Sequence, residues 1–188
     1  MKKNILMSLI VPFIICFFTI GYSCWSGEKD ISLLLLITEQ NIEGPQHSWW
    51  ASEIDLSTTE SRLSELLISQ GYHVLDPSQI TGVLRKEKAF RRVGLSEEES
   101  LKLAKLSKAD YVVLGKALAS AGANVPHSNM RSCFANATVK VIRVSDAEVI
   151  AYLEASGSSV HTDVVTGGKE ALLKAAEDLA VKIASRLD

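Results

Sequence analysis

Apolar and polar positions follow three different rhythms along this chain. Residues 31–38, Ile31-Ser32-Leu33-Leu34-Leu35-Leu36-Ile37-Thr38, form an apolar run with polar boundaries. Eight residues is a strand length, and a run without alternation predicts a central strand buried on both faces. Tyr111-Val112-Val113-Leu114 repeats that signature and predicts a second interior strand over 110–119. From Ser132 onward the rhythm changes. Cys133, Ala135, Ala137, Val139 and Val141 share one parity, while Ser132, Asn136, Thr138 and Lys140 share the other. Period two is the mark of a strand with one buried face. The alternation slips at Ile142-Arg143-Val144, which predicts a bulge or a strand end there. Ser145-Asp146-Ala147-Glu148 is a polar turn. A third strand follows, with Val149, Ala151, Leu153 and Ala155 on one face and Tyr152, Glu154, Ser156 and Ser158 on the other. Residues 110–161 therefore predict three consecutive antiparallel strands. Their apolar faces are rich in alanine, so a helix can approach closely, and one is expected across this hairpin.

The 3.6-residue rhythm appears elsewhere. Ser57-Thr58-Thr59-Glu60 is a capping box, and it opens a helix with Leu63, Leu66 and Leu67 on one side. Gly71 closes that helix, and Tyr72-His73-Val74-Leu75 reads as a short strand. Strand, helix and strand in this order form a βαβ unit, with parallel strands and a right-handed crossover. Asp76-Pro77-Ser78-Gln79 starts a further helix carrying Ile80, Val83 and Leu84. Ser96 and Glu99 make a second capping box before Leu101, Leu103, Ala104 and Leu106. Thr166-Gly167-Gly168 reads as punctuation before a closing helix over 169–187, the candidate for the helix on the alanine-rich hairpin. The sum is an α/β (α+β) domain. It has a mixed sheet of about five strands, a βαβ unit followed by helices, an antiparallel three-strand meander, and a C-terminal helix packed on the sheet.

The first residues belong to another kind of pattern. Lys2 and Lys3 precede an almost wholly apolar stretch over 5–22, the layout of a bacterial secretory signal. The stretch is also just long enough to serve as an uncleaved anchor helix. Its exit, Ile20-Gly21-Tyr22-Ser23-Cys24, is similar to the lipobox of bacterial lipoproteins, although Gly21 stands where leucine is usual and Tyr22 is bulky. The division that follows is a signal over 1–24, a tether over 25–30 and a single domain over 31–188. Cys24 is the candidate for lipidation. Cys16 would leave with the signal, and Cys133 would remain alone on the apolar face of its strand, as a small hydrophobe.

Charge and composition narrow the function classes. A net charge of −2 gives no electrostatic case for nucleic acid. Lys86, Lys88, Arg91 and Arg92 cluster, but Glu87 interrupts them and Glu97-Glu98-Glu99 follows, so a solvated or ion-paired face is expected. His47, His73, His127 and His161 form no local zinc spacing, and there is no nucleophile elbow, phosphate loop or dinucleotide turn. No cofactor or metal is expected. Two loops attract attention. Residues 39–50 hold His47, Trp49 and Trp50, which read either as a partner anchor or as plugs for the end of the core. Residues 120–130, with Asn124, His127 and Met130, form a connection long for a hairpin, where binding function tends to lie.

The phrases "GYHVLD" at 71–76, "KADYVVLGKALA" at 108–119 and "ATVKVIRVSDAEVIAYLEASG" at 137–157 resemble a domain shared by several envelope proteins. These are the curli-secretion lipoprotein, the TolB amino-terminal domain, penicillin-binding-protein activator lipoproteins and flagellar assembly protein T. The likeness covers residues 31–187 and lies in strand cores and turns. Here the turn at 145–148 lacks the usual Thr-Gly, and no membrane-inserting hairpin of the curli pore type is present. The resemblance implies a non-enzymatic lipoprotein that docks on or stabilises a larger envelope complex. A lipid anchor without a following Asp implies the periplasmic face of the outer membrane; a soluble periplasmic or inner-membrane-anchored protein is the alternative. The expected partners are an envelope protein complex and the membrane, with a homo-oligomer through the sheet edge as a further reading. A small periplasmic hydrolase-like enzyme, with a His and carboxylate at the strand ends, is the competing class.

Overall fold

The computed structural model describes residues 29–42, 57–75 and 97–187. The apolar run becomes β1 (Ser32–Gln40), an interior strand of a sheet with five strands among the described residues. Beside it lie β2 (His73–Leu75), β3 (Tyr111–Asn124), β4 (Arg131–Arg143) and β5 (Val149–His161), in the order β2-β1-β3-β4-β5. β1 pairs in parallel with β2 and β3, while β3, β4 and β5 form an antiparallel meander. The sheet is therefore mixed, as the sequence pattern predicts.

Among the described residues, three helices cover it. α1 (Thr58–Ser69) is capped by Ser57, whose hydroxyl accepts from the Glu60 N–H at 3.1 Å. It ends at Gly71, whose φ of 91° lies in the left-handed region that glycine enters freely. α2 spans Glu97–Ser107 and α3 spans Val164–Leu187. The helix expected after Asp76, and Ser96 of the second capping box, lie outside the described residues.

α1 and α3 pack side by side on one face, over Leu33, Leu35, Ile37, Val113, Val139, Val141 and Leu153. α2 lies on the other face, where Leu103 and Ala104 meet Leu34, Val112, Ile142 and Val144. Only one end of the sheet is thus covered twice among the described residues. That explains the slip in the alternation of β4. Val141 and Ile142 are consecutive and both buried, because Val141 faces α3 while Ile142 faces α2. The bulge lies beside them, on the partner: Val141 pairs Ala151 and Ile142 pairs Val149, so β5 carries the extra residue.

α3 approaches the hairpin as closely as its alanines allow. Ala171, Ala175, Ala176 and Ala180 are buried against Ala135, Ala137 and Ala155. Gly157 marks the tightest point, since a Cβ there would stand 2.0 Å from the Ala171 carbonyl oxygen. The helix begins earlier than its sequence suggests. Asp163 caps it, accepting from the Thr166 N–H and hydroxyl, so Gly167 and Gly168 are helical residues and not a turn. Their lack of a side chain lets the first turn lie against Cys133 and Asn41. Asn41 completes the junction, its Nδ2 donating to the Val165 carbonyl at 3.2 Å.

Candidate interaction surface

The sequence-predicted loop over 120–130 is mostly strand. β3 continues through Asn124 because β4 offers it a ladder to Arg131, and that pairing outweighs the local Gly and Asn signals. One irregularity between Ala121 and Asn124 absorbs an extra residue. The turn itself is residues 125–130. Val125 N–H donates to the Met130 carbonyl at 2.9 Å, and the Ser128 hydroxyl accepts from the Met130 N–H at 3.2 Å. His127 turns the chain with a φ of 60°. Asn124, His127 and Met130 are all exposed at this tip. Cys24, His47, Trp49 and Trp50 lie outside the described residues.

Away from α2, the second face of the meander carries no described helix. Register places Thr38, Lys116, Thr138 and Glu154 in one row across the strands. The next row is Gln40, Leu118, Asn136 and Ser156, followed by Ser120, Phe134 and Ser158, then Ser132 and Val160. All but Ser132 of these are exposed. Most are small and polar, as a solvated face requires. Leu118, Phe134 and Val160 are not: they are 48%, 50% and 50% exposed, and they sit on a diagonal across β3, β4 and β5. Diagonal neighbours on a sheet are within reach of an aromatic ring. The Phe134 ring lies over Gly122, where a Cβ would stand 2.5 Å from its Cε2. Tyr152, 75% exposed, adds a fourth apolar body nearer to α2. The sequence reading did not single out Leu118, Phe134 and Val160. The available signal was their parity, since each stands on the polar face of its strand.

Cys133 and the His161–Asp163 pair are committed to structure. Cys133 is fully buried under the start of α3, with Sγ 3.8 Å from the Val164 carbonyl. It therefore lacks the exposed, electropositive setting of a nucleophilic thiol. His161 Nδ1 accepts from the Asp163 N–H at 2.9 Å, and the Asp163 carboxylate is occupied by the Thr166 cap. Those bonds from Thr166 hold the Asp163 carboxyl below its ordinary range. An open groove of about 550 Å³ lies between the end of α2 and the starts of β1 and β3, lined by Lys105, Lys108, Asp110 and Arg143. Within it, Asp110 accepts from both the N–H and the hydroxyl of Ser32, and so fastens β1 to β3. Arg143 is held by Asp146 and Glu148 of the β4–β5 turn that follows it. No group of His, Cys, Asp and Glu among the described residues has the spacing of a metal site. No helix among them is long and apolar enough to cross a membrane.

No protein-family model and no curated protein matches the chain. Solved structures do. The hypothetical protein CT253 of Chlamydia trachomatis is 18% identical, with a TM-score of 0.47 over 85% of this chain and 96% of that one. Lipoprotein GNA1162 of Neisseria meningitidis is 12% identical, with a TM-score of 0.45 over 84% and 97%. The C-terminal domain of LpoB from Escherichia coli is 12% identical, with a TM-score of 0.37 over 69% and 84%.

Proposed function

We propose that this chain is an exported, lipid-anchored protein of the cell envelope that acts by protein–protein contact, as an adaptor or assembly factor for a larger complex. The observation that carries the reading is the apolar diagonal of Leu118, Phe134 and Val160 on an otherwise polar sheet face that no described helix covers. Exposed apolar side chains grouped on one rigid surface mark contact sites, because water gains when they are covered. The hairpin tip with Asn124, His127 and Met130 adjoins that surface and extends it. His47, Trp49 and Trp50 are further contact candidates. Support for export comes from the leader: Lys2, Lys3, the apolar stretch over 5–22, and Ser23-Cys24 at its exit. Cys24 is the proposed lipid attachment point, and the periplasmic face of the outer membrane is the proposed location. The burial of Cys133 withdraws its thiol from solvent, and Asp163 spends its carboxylate on the helix cap; both favour this reading over a hydrolase.

The test combines intact mass with recovery of partners from detergent-solubilised envelopes. The wild type should carry acyl mass, sediment with membranes and bring down a defined set of envelope proteins. Cys24→Ala should lose the acyl mass and the membrane fraction. Phe134→Asp should keep both and lose the partners. An unlipidated wild type would remove the anchor, and unchanged recovery with Phe134→Asp would remove the contact surface.

A further inference from the structure

β5 ends the sheet, and no described residue pairs with its outer side. Backbone groups of alternate residues in a strand point to opposite sides. Two carbonyls identify the outward set. Lys182 Nζ donates to the Glu154 carbonyl at 2.8 Å, and Lys174 Nζ donates to the Ser158 carbonyl at 2.7 Å. Tyr152, Glu154, Ser156, Ser158 and Val160 therefore turn their N–H and C=O groups toward the free edge. The spacing is matched. Four residues of strand advance about 13 Å, and eight residues of helix advance about 12 Å. Both lysines reach across the flank of α3 to the strand in equal steps. Asp178, one helical turn before Lys182, holds that ammonium at 2.7 Å and keeps it in place.

An open edge of this length is a template for another strand. The strand that fits it best is a second copy of itself. An antiparallel two-fold axis through Ser156 sets Tyr152 opposite Val160 twice, so four exposed apolar side chains are paired. Glu154 falls opposite Ser158, and Ala155 opposite Gly157, so no like charges meet along the strands. The helices oppose this arrangement. In the same register, Lys174 of one copy faces Lys182 of the other, twice. The carbonyls that the ladder needs at Glu154 and Ser158 are already held by those ammonium groups.

We infer that Lys174 and Lys182 form a clamp that closes the β5 edge against pairing with a second copy of the chain. The clamp lysines come from α3, on the face opposite the contact surface, which they do not touch. Cysteine at position 156 reads the predicted register directly. A two-fold through that residue brings the two Cα atoms to about 5.5 Å, within disulfide range. In the full chain in detergent, Ser156→Cys alone should remain monomeric on a non-reducing gel. Ser156→Cys with Lys174→Met and Lys182→Met should form a disulfide dimer at least tenfold faster. Ser158→Cys in the same double background should not, since its two-fold mate is Glu154. Equal dimerisation with and without the lysines would overturn the clamp. So would the absence of a dimer in the triple variant, or dimers from positions 156 and 158 alike. Lys174→Gln with Lys182→Gln repeats the test with polar side chains, should the methionine pair unfold the protein.

Discussion

The two ends of one sheet are built to different rules. At the α2 end, β1, β3 and β4 are covered on both faces, and their sequences are apolar at consecutive positions: Leu33-Leu34-Leu35, Val112-Val113 and Val141-Ile142. At the hairpin end the described residues cover the sheet on one face. There the buried positions shrink to Ala135, Ala137 and Ala155 under α3, and the other face turns to Ser, Thr and Asn. The first arrangement secures the fold by burying large side chains. The second gives up burial on one side and keeps a flat, rigid surface in water. Leu118, Phe134 and Val160 are conspicuous only against that second rule, because at the α2 end they would be ordinary core.

If the two ends differ in this way, substitutions should divide sharply between them. Leu34→Ala, fully buried between the sheet and α2, should cost about 3–4 kcal/mol in urea unfolding. Leu118→Ala on the open face should stay within about 0.5 kcal/mol. Equal losses would mean that the open face is core. The next effect separates the two faces of one strand. Gly157→Ala drives a methyl group into the α3 backbone and should cost about 2–3 kcal/mol. Its neighbour Ser156→Ala, pointing the other way, should be near neutral.

A smaller effect follows pH at the start of α3. The Asp163 carboxyl titrates lower in the folded chain than in the unfolded one, owing to its bonds from Thr166. Its stabilisation is therefore complete above the unfolded value and is lost as pH falls through the folded one. Asp163→Asn should lower the thermal midpoint at pH 7, and the gap to wild type should narrow below about pH 4. A gap of constant size would place the effect elsewhere than in the charge. The smallest change is a gain. Ala147 holds a φ of 60° in the β4–β5 turn, where alanine is strained and glycine is not. Ala147→Gly should stabilise by about 0.5–1 kcal/mol, read as a shift in urea midpoint at unchanged slope.

Much of the scaffold was legible in residue patterns. The apolar run of β1, the alternation of β4 and β5, the cap at Ser57 and the alanine-rich seat for α3 all follow from local chemistry. The misreadings have a common cause, which is tertiary contact. Residues 120–124 carry loop-like signals but gain a ladder from β4. Gly167 and Gly168 read as punctuation before the closing helix, yet they are the points where that helix meets Cys133 and Asn41. The slip at Ile142, by contrast, was rightly read as a bulge, which lies on the paired β5, and a helix on each face accounts for the lost alternation. The surface was less visible than the fold. Phe134 and Val160 stand at polar parity and could have been noticed. The lysine contacts with Glu154 and Ser158 join residues 28 and 16 positions apart, and no spacing rule in the sequence reveals them.

The central claim is that the open face is where this protein meets its partner. The most direct measurement places a photo-crosslinking amino acid at position 134 in living cells, with position 68 on α1 as the comparison, since Ile68 is also exposed at 57%. The account predicts a discrete adduct with an envelope protein from position 134 and none from position 68. No adduct from position 134, or the same adduct from both positions, would contradict it.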